Sequence, residues 1–272
     1  MSKIVLKEKQ NKLKANVKLL IDTNIYLDFY RSNKNSIQLL NELSKHFDNI
    51  ILTDQIIQEF ERNRETVIKA LKKSFETESQ LENISSAYLQ NLPEFATLLS
   101  VQKEYQTKRK EVITAIDSIL ESPENDPIYS FFIDMVKECR KNNSILNTTD
   151  EIIHKAQRRK LVGNPPFSSG ISIGDEINWE IILENVTENI IIIGRDKTYT
   201  SHFSFLKRDF HLNTGHFVIK LASSITDALA EIGITTTSEL QDVEHKMLDE
   251  LEKSYNEFWK YSLRNSEDQS KA

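Results

Sequence analysis

From Asp54 to Lys160 the chain contains no glycine, no apolar run of the kind that makes a β-strand, and three prolines, Pro93, Pro123 and Pro127. A stretch so poor in breakers has to be helical. The intervals predict helices over Asp54–Leu89, Glu94–Leu120, Pro127–Lys141 and Thr149–Lys160. The first two are long for a globular domain and carry charge on their outer faces, so they need an apolar body outside themselves to pack on.

That body is written on either side of the helical stretch. KLLID (Lys18 to Asp22) and Ile50 to Leu52 read as short buried strands, with helical spacing over Ser36 to Phe47 between them. The order β–α–β predicts a parallel pair. NIIIIG (Asn189 to Gly194) is the strongest strand signal in the chain, and FVIKL (Phe217 to Leu221) reads as another. Further helices are expected over Asp175 to Asn185, Ser224 to Ile232 and Thr237 to about Ser262. The reading is α/β: one domain over residues 1–272, with a central parallel sheet, a large all-helical insertion over about 62–160, a C-terminal helix and a disordered polar tail over about 264–272. The segment LVGNPPFSSGISIGD holds three of the six glycines, Gly163, Gly170 and Gly174, and marks a shaped loop.

Composition narrows the function classes. With 39% hydrophobic and 28% charged residues the chain is globular. A single cysteine, Cys139, excludes an internal disulfide framework and a Cys-based zinc site, and the six histidines form no H-x-x-x-H or H-E-x-x-H pair. The longest apolar run, Ile190 to Ile193, is far short of a membrane span, and MSKIVLKEKQNKLK has no apolar signal core. The expectation is a soluble, cytoplasmic protein with no membrane partner. A net charge of −6 argues against a general duplex-coating protein, so any grip on phosphate must come from local patches or from metal ions. No G-x-x-x-x-G-K-[ST] loop, G-x-G-x-x-G turn or G-x-S-x-G elbow is present. An aspartyl-nucleophile phosphatase would want a second acid at position 24, which is Asn24.

Ligand sites of open α/β sheets lie outside the carboxyl ends of the strands. Asp22 ends the first strand and Asp196 follows the strongest one. Glu59 lies one to two turns into the helix after the second strand, and Asp175 opens the helix that leads into the strongest strand. One strand-end Asp is ordinarily a helix cap. Several carboxylates brought together repel one another and are costly to desolvate, which a divalent cation offsets. Hard oxygen donors without Cys or His point to Mg²⁺ or Mn²⁺.

These residues sit in LLIDTNIYLDFY (Leu19 to Tyr30), ILTDQIIQEFERN (Ile51 to Asn63), GDEINWEIIL (Gly174 to Leu183) and IIIIGRDKTY (Ile190 to Tyr199). The four segments, in this order, resemble PIN-domain nucleases, and more narrowly the PIN-like branch with a long helical insertion. The resemblance implies a Rossmann-like PIN fold with Asp22, Glu59, Asp175 and Asp196 as metal ligands and catalytic acids, braced by Thr23 and Asn24. The interval from Glu59 to Asp175 is much longer than in compact members, so substrate specificity does not carry over from the small toxin nucleases.

Around these acids stand secondary candidates. Glu176 and Asn178 lie beside Asp175, Glu176 either as a supporting acid or as a solvated surface group. Trp179 reads as core more than as a base-stacking ring. Arg195 and Lys197 flank Asp196, as phosphate contacts or structural ion pairs. Lys155, Arg158, Arg159 and Lys160 form a basic run before the Gly/Pro loop, either a phosphate contact or a solvated helix end. Asp54 reads as a helix cap and Asp28 as peripheral. The expected activity is metal-dependent endoribonuclease action on single-stranded or structured RNA, as a toxin or phage-defence effector, with a regulatory protein partner or a homo-oligomer possible. The alternatives are a nuclease acting on DNA, and a partner-binding or regulatory protein without turnover.

Overall fold

The computed structural model describes residues 17–32, 34–76, 86–166 and 171–269, with backbone alone at 34, 87 and 254–269. The N-terminal stretch 1–16, Gly170 and its neighbours 167–169, and the last three residues lie outside the described residues. Five strands form one sheet: β1 (Val17–Ile21), β2 (Ile50–Thr53), β3 (Ile145–Leu146), β4 (Asn189–Ile193) and β5 (Val218–Ala222). Their order is β3-β2-β1-β4-β5 and every pair is parallel. β1 lies against β4 from Val17–Asn189 to Ile21–Ile193, without a break in register. The central strands are apolar without alternation because helices cover both faces, which is what an all-parallel sheet requires. Leu19, Ile21 and Ile190 to Ile193 are fully buried.

β3 corrects the expectation that no strand lies between Asp54 and Lys160. Ser144, just before it, accepts the Leu52 N–H at 3.0 Å, and Leu52 and Thr53 pair with Ile145 and Leu146. Two half-buried residues at a sheet edge are too short to show a period of two. The helices are α1 (Thr23–Leu27), α2 (Ile37–Leu43), α3 (Asp54–Glu76), α4 (Ala87–Gln90), α5 (Pro93–Glu121), α6 (Pro127–Lys141), α7 (Asp150–Val162), α8 (Gly174–Asn185), α9 (Lys197–Thr200), α10 (Phe203–Thr214), α11 (Ile225–Glu231) and α12 (Ser238–Gln269). The first long helix is described as far as Glu76, and extended Ser86, which caps α4, breaks the single helix expected to reach Leu89. The last runs to Gln269, past Ser262, because the NSEDQ segment holds no Gly or Pro to stop it.

Helices α3 to α6 form the crossover from β2 to its neighbour β3. Phe60 of α3 stacks on Phe132 of α6 at 3.8 Å between ring centres, and Tyr26 of α1 meets Phe132 edge-on at 5.1 Å. A buried polar knot fixes the same corner. Arg64 pairs with Asp126 at 2.8 Å and donates to the Ile119 carbonyl at 3.0 Å, while the Tyr30 hydroxyl donates to Asp126 at 2.6 Å. Asp126 also caps α6 through the N–H groups of Ile128 and Tyr129. Helix α5 packs on α3 and leaves much of its surface to solvent, with Leu98, Val101 and Tyr105 each about half exposed.

Candidate active site

The crossover from β1 runs toward β2, and the crossover from β4 runs the other way, to β5. The carboxyl ends of β1 and β4 therefore face a crevice where the winding reverses. Asp22 leaves β1 at this point and Asp196 leaves β4. The Asp22 N–H donates to the Ile193 carbonyl at 2.9 Å, so the two exits stay in register. Both acids start a short helix with nearly the same backbone, φ −63° and ψ 146° for Asp22, φ −66° and ψ 143° for Asp196. Each spends one carboxylate oxygen as a cap: Asp22 Oδ2 accepts from the Asn24 N–H at 3.3 Å, Asp196 Oδ1 from the Thr198 N–H at 2.8 Å. Capping and ligand duty are thus compatible, since the second oxygen remains. The two exits run close together, since a Cβ placed at Gly194 would stand 3.4 Å from Asp22 Cβ.

The other two acids arrive on helices. Thr23 Oγ1 donates to Glu59 Oε2 at 3.2 Å, tying α3 to the loop after β1. Asp175 sits in the first turn of α8, which is held to the end of β2 by the Thr53 hydroxyl donating to Asn178 Oδ1 at 2.5 Å. Asn24 braces Asp22 with its main chain, and its side chain is exposed.

The four acids act on one another. Burial, then Asp175, Glu59 and Asp196, lifts the Asp22 carboxyl from 3.8 to about 7, against the lowering bond from Asn24. Burial, then Asp196, Glu59 and Glu176, lifts Asp175 to about 6, with Lys160 opposing. Such mutual repulsion in a half-buried crevice is relieved by a cation. Among the described residues no three His, Cys, Asp or Glu side chains gather closely enough to cage a bare ion. The all-oxygen set fits an ion that keeps most of its water and takes one or two carboxylates directly, as Mg²⁺ does.

The described helices include none long and apolar enough to cross a membrane. The family model described as PIN domain matches residues 19–199, a span that contains all four acids. The chain belongs to the PIN domain family. PIN domains are generally metal-dependent nucleases. No curated protein and no solved structure gives a significant match.

Within this PIN domain the secondary candidates separate. Arg159 is turned inward: it donates to Glu180 at 2.6 Å and to the Pro165 carbonyl at 2.6 Å, and pairs with Asp209 at 2.9 Å. It is a structural tie and not a phosphate contact, because helix α8 covers that face of α7. Trp179 is fully buried and donates its indole N–H to the same Asp209 at 2.9 Å. Glu176 is buried, not surface-solvated, because α8 is covered on several sides at once. Lys160 Nζ stands 3.3 Å from its Oε1 in an ion pair that is not a hydrogen bond, and donates to the Ser172 carbonyl at 2.7 Å. Lys155 pairs with Glu184 and Glu151. Arg195 reaches across to Asp28 in a short ion pair and donates to the Ser223 carbonyl at 3.3 Å, so Asp28 is a brace between the two acid-bearing loops and not peripheral. Asp54 accepts the Thr148 N–H and hydroxyl, and Thr53 Oγ1 caps α3 in its place by accepting from Ile56. Arg158 and Lys197 are exposed and enter no ion pair among the described residues. No sequence signal distinguishes them from their paired neighbours, since partner choice depends on elements that meet only in three dimensions.

Proposed function

We propose that the chain is a divalent-metal-dependent endoribonuclease that hydrolyses phosphodiester bonds in single-stranded or structured RNA. One observation carries the reading: four carboxylates from four elements converge on the sheet's carboxyl edge, where burial first and then their mutual repulsion lift Asp22 to about 7 and Asp175 to about 6. Asp22, Glu59, Asp175 and Asp196 would hold Mg²⁺ or Mn²⁺, which supplies an activated water and neutralises charge on the phosphoryl oxygens. The chain's own residues do the rest. Thr23 orients Glu59, the Asn24 N–H fixes one oxygen of Asp22, and the Thr198 N–H fixes one of Asp196. Arg158 and Lys197 position the strand, and Lys160 follows if substrate draws it from Ser172. The preference for RNA over DNA, and a role as toxin or phage-defence effector in the cytoplasm, rest on the family.

The deciding experiment incubates labelled single-stranded RNA, tRNA, single-stranded DNA and duplex DNA with Mn²⁺, Mg²⁺ or EDTA, beside Asp22→Asn and Asp196→Asn proteins. Metal-dependent RNA cleavage that both substitutions abolish is the expected result. Cleavage of DNA alone would correct the substrate. The absence of both cleavage and metal binding would overturn the reading. A partner-binding role for the insertion, for a regulatory protein or a second copy, draws support from the exposed Leu98, Val101, Tyr105 and Val112 on one long helix. Light scattering with and without that face substituted by glutamine tests it.

A further inference from the structure

Gln55 lies in the first turn of α3, and Glu59 follows one turn later, so the two side chains share a face of that helix. Thr23 ties Glu59 to the β1 exit at 3.2 Å, so this face fronts the acidic centre. On the other side, α8 starts at Gly174, directly before Asp175. A Cβ placed at Gly174 would stand 2.9 Å from Gln55 Nε2 and 3.9 Å from Gln55 Cδ. The Gln55 amide therefore rests on the bare backbone of Gly174, one residue from Asp175 and one helical turn from Glu59. Gly174 is not among the glycines with positive φ, so what its missing side chain supplies is room for the amide. Gln55, Gly174 and Asp175 are each half-buried, which leaves the place open to solvent.

We propose that Gln55 is a substrate-contacting residue, whose amide donates a hydrogen bond to the sugar–phosphate backbone of a single RNA strand lying at the four acids, from a place that Gly174 keeps open. The inference rests on the nuclease reading of the site. An uncharged donor suits the position. A lysine or arginine there would pair with Glu59 one turn away and compete with a divalent ion for the acids. A carboxamide offers its N–H groups to a phosphate oxygen and brings no charge. A contact of this kind positions the strand and reads no sequence.

Binding of labelled single-stranded RNA to the full-length protein in an Asp22→Asn background, where the strand stays whole, tests this by fluorescence anisotropy. Adding Gln55→Ala should weaken binding about tenfold, the loss expected of a hydrogen bond to a charged group, and equally for U-rich and A-rich strands. Adding Gly174→Ala should weaken it similarly, because the new methyl group displaces the amide. Adding both should weaken it no more than Gln55→Ala alone. No variant should lose melting temperature. In the wild-type background both substitutions should raise KM for RNA and leave kcat and the calorimetric Mn²⁺ affinity alone. Unchanged RNA affinity in Gln55→Ala overturns the proposal and leaves the nuclease reading standing. Additive losses, or losses matched by a fall in melting temperature, assign the effect to the packing of α3 on α8 and also overturn it. A wild type that neither binds nor cuts RNA overturns the reading of the site as a ribonuclease, and the proposal with it.

Discussion

Replacing Asp22 by asparagine should make the ion-free protein more stable, and the gain should grow with pH. The unfolded chain gives up the Asp22 proton near 3.8 and the folded chain near 7. Between those values the folded state holds more protons, so it loses stability as pH rises. At about 1.4 kcal/mol per tenfold in proton affinity, keeping Asp22 ionised costs the folded protein about 4 kcal/mol at pH 8. The cost is about 1.5 kcal/mol at pH 5 and under about 1 kcal/mol at pH 4. Asparagine removes the charge while keeping an oxygen for the Asn24 N–H. For a chain of this size the gain at pH 8 is a rise in Tm of roughly 5–15 °C. Thermal denaturation in EDTA from pH 4 to pH 8, followed by circular dichroism, reads it directly. Saturating Mn²⁺ should stabilise the wild type by about 2.7 kcal/mol at a hundred times Kd and leave the variant unmoved. An Asp22→Asn protein less stable than wild type at pH 8, or a gain equal at pH 5 and pH 8, would refute the account of the site as a strained carboxylate cluster.

A double-mutant cycle of Asp28→Ala and Arg195→Ala should give a coupling of about 1 kcal/mol in urea denaturation, the size expected of a partly exposed pair, and additive losses would deny the brace. Arg159→Ala should cost about 3–5 kcal/mol in the same assay, because it strands the Glu180 and Asp209 carboxylates. A loss under about 1 kcal/mol would mean that the tie is idle. Arg158→Ala and Lys197→Ala should each raise KM for RNA without changing Mn²⁺ affinity, and should flatten the salt dependence of binding by about 0.7 in log–log slope per contact. Unchanged slopes would place the strand elsewhere.

Much of this architecture was legible because each strand that builds the crevice is a bare apolar run ending near an acid. Ile190 to Ile193 and Leu19 to Ile21 announce buried parallel strands, and Asp22 and Asp196 follow them in the chain. The edge strand was not legible, since Ile145 and Leu146 form it only by meeting Leu52 and Thr53. The inward turn of Arg159, and the choice between the two readings of Glu176, were hidden for a related reason. A helical wheel tells which residues share a face but not how many neighbours cover the helix, and α8 is buried nearly all round. The Arg64–Asp126 pair joins residues far apart along the chain, and no local pattern encodes it.

The sheet order carries a consequence for the chain as it is being synthesised. The middle of the sheet is the β1–β4 pair, and β4 is translated long after β1, with the whole helical crossover between them. At about 5–20 residues per second, a ribosome needs roughly 10–35 s to travel from the codon of Asp22 to that of Asp196. Throughout that interval β1 has one neighbour at most and the crevice has one wall. A nascent chain thus carries three of its acids before it has anywhere to assemble them, and the centre closes only once β4 and Asp196 have been made.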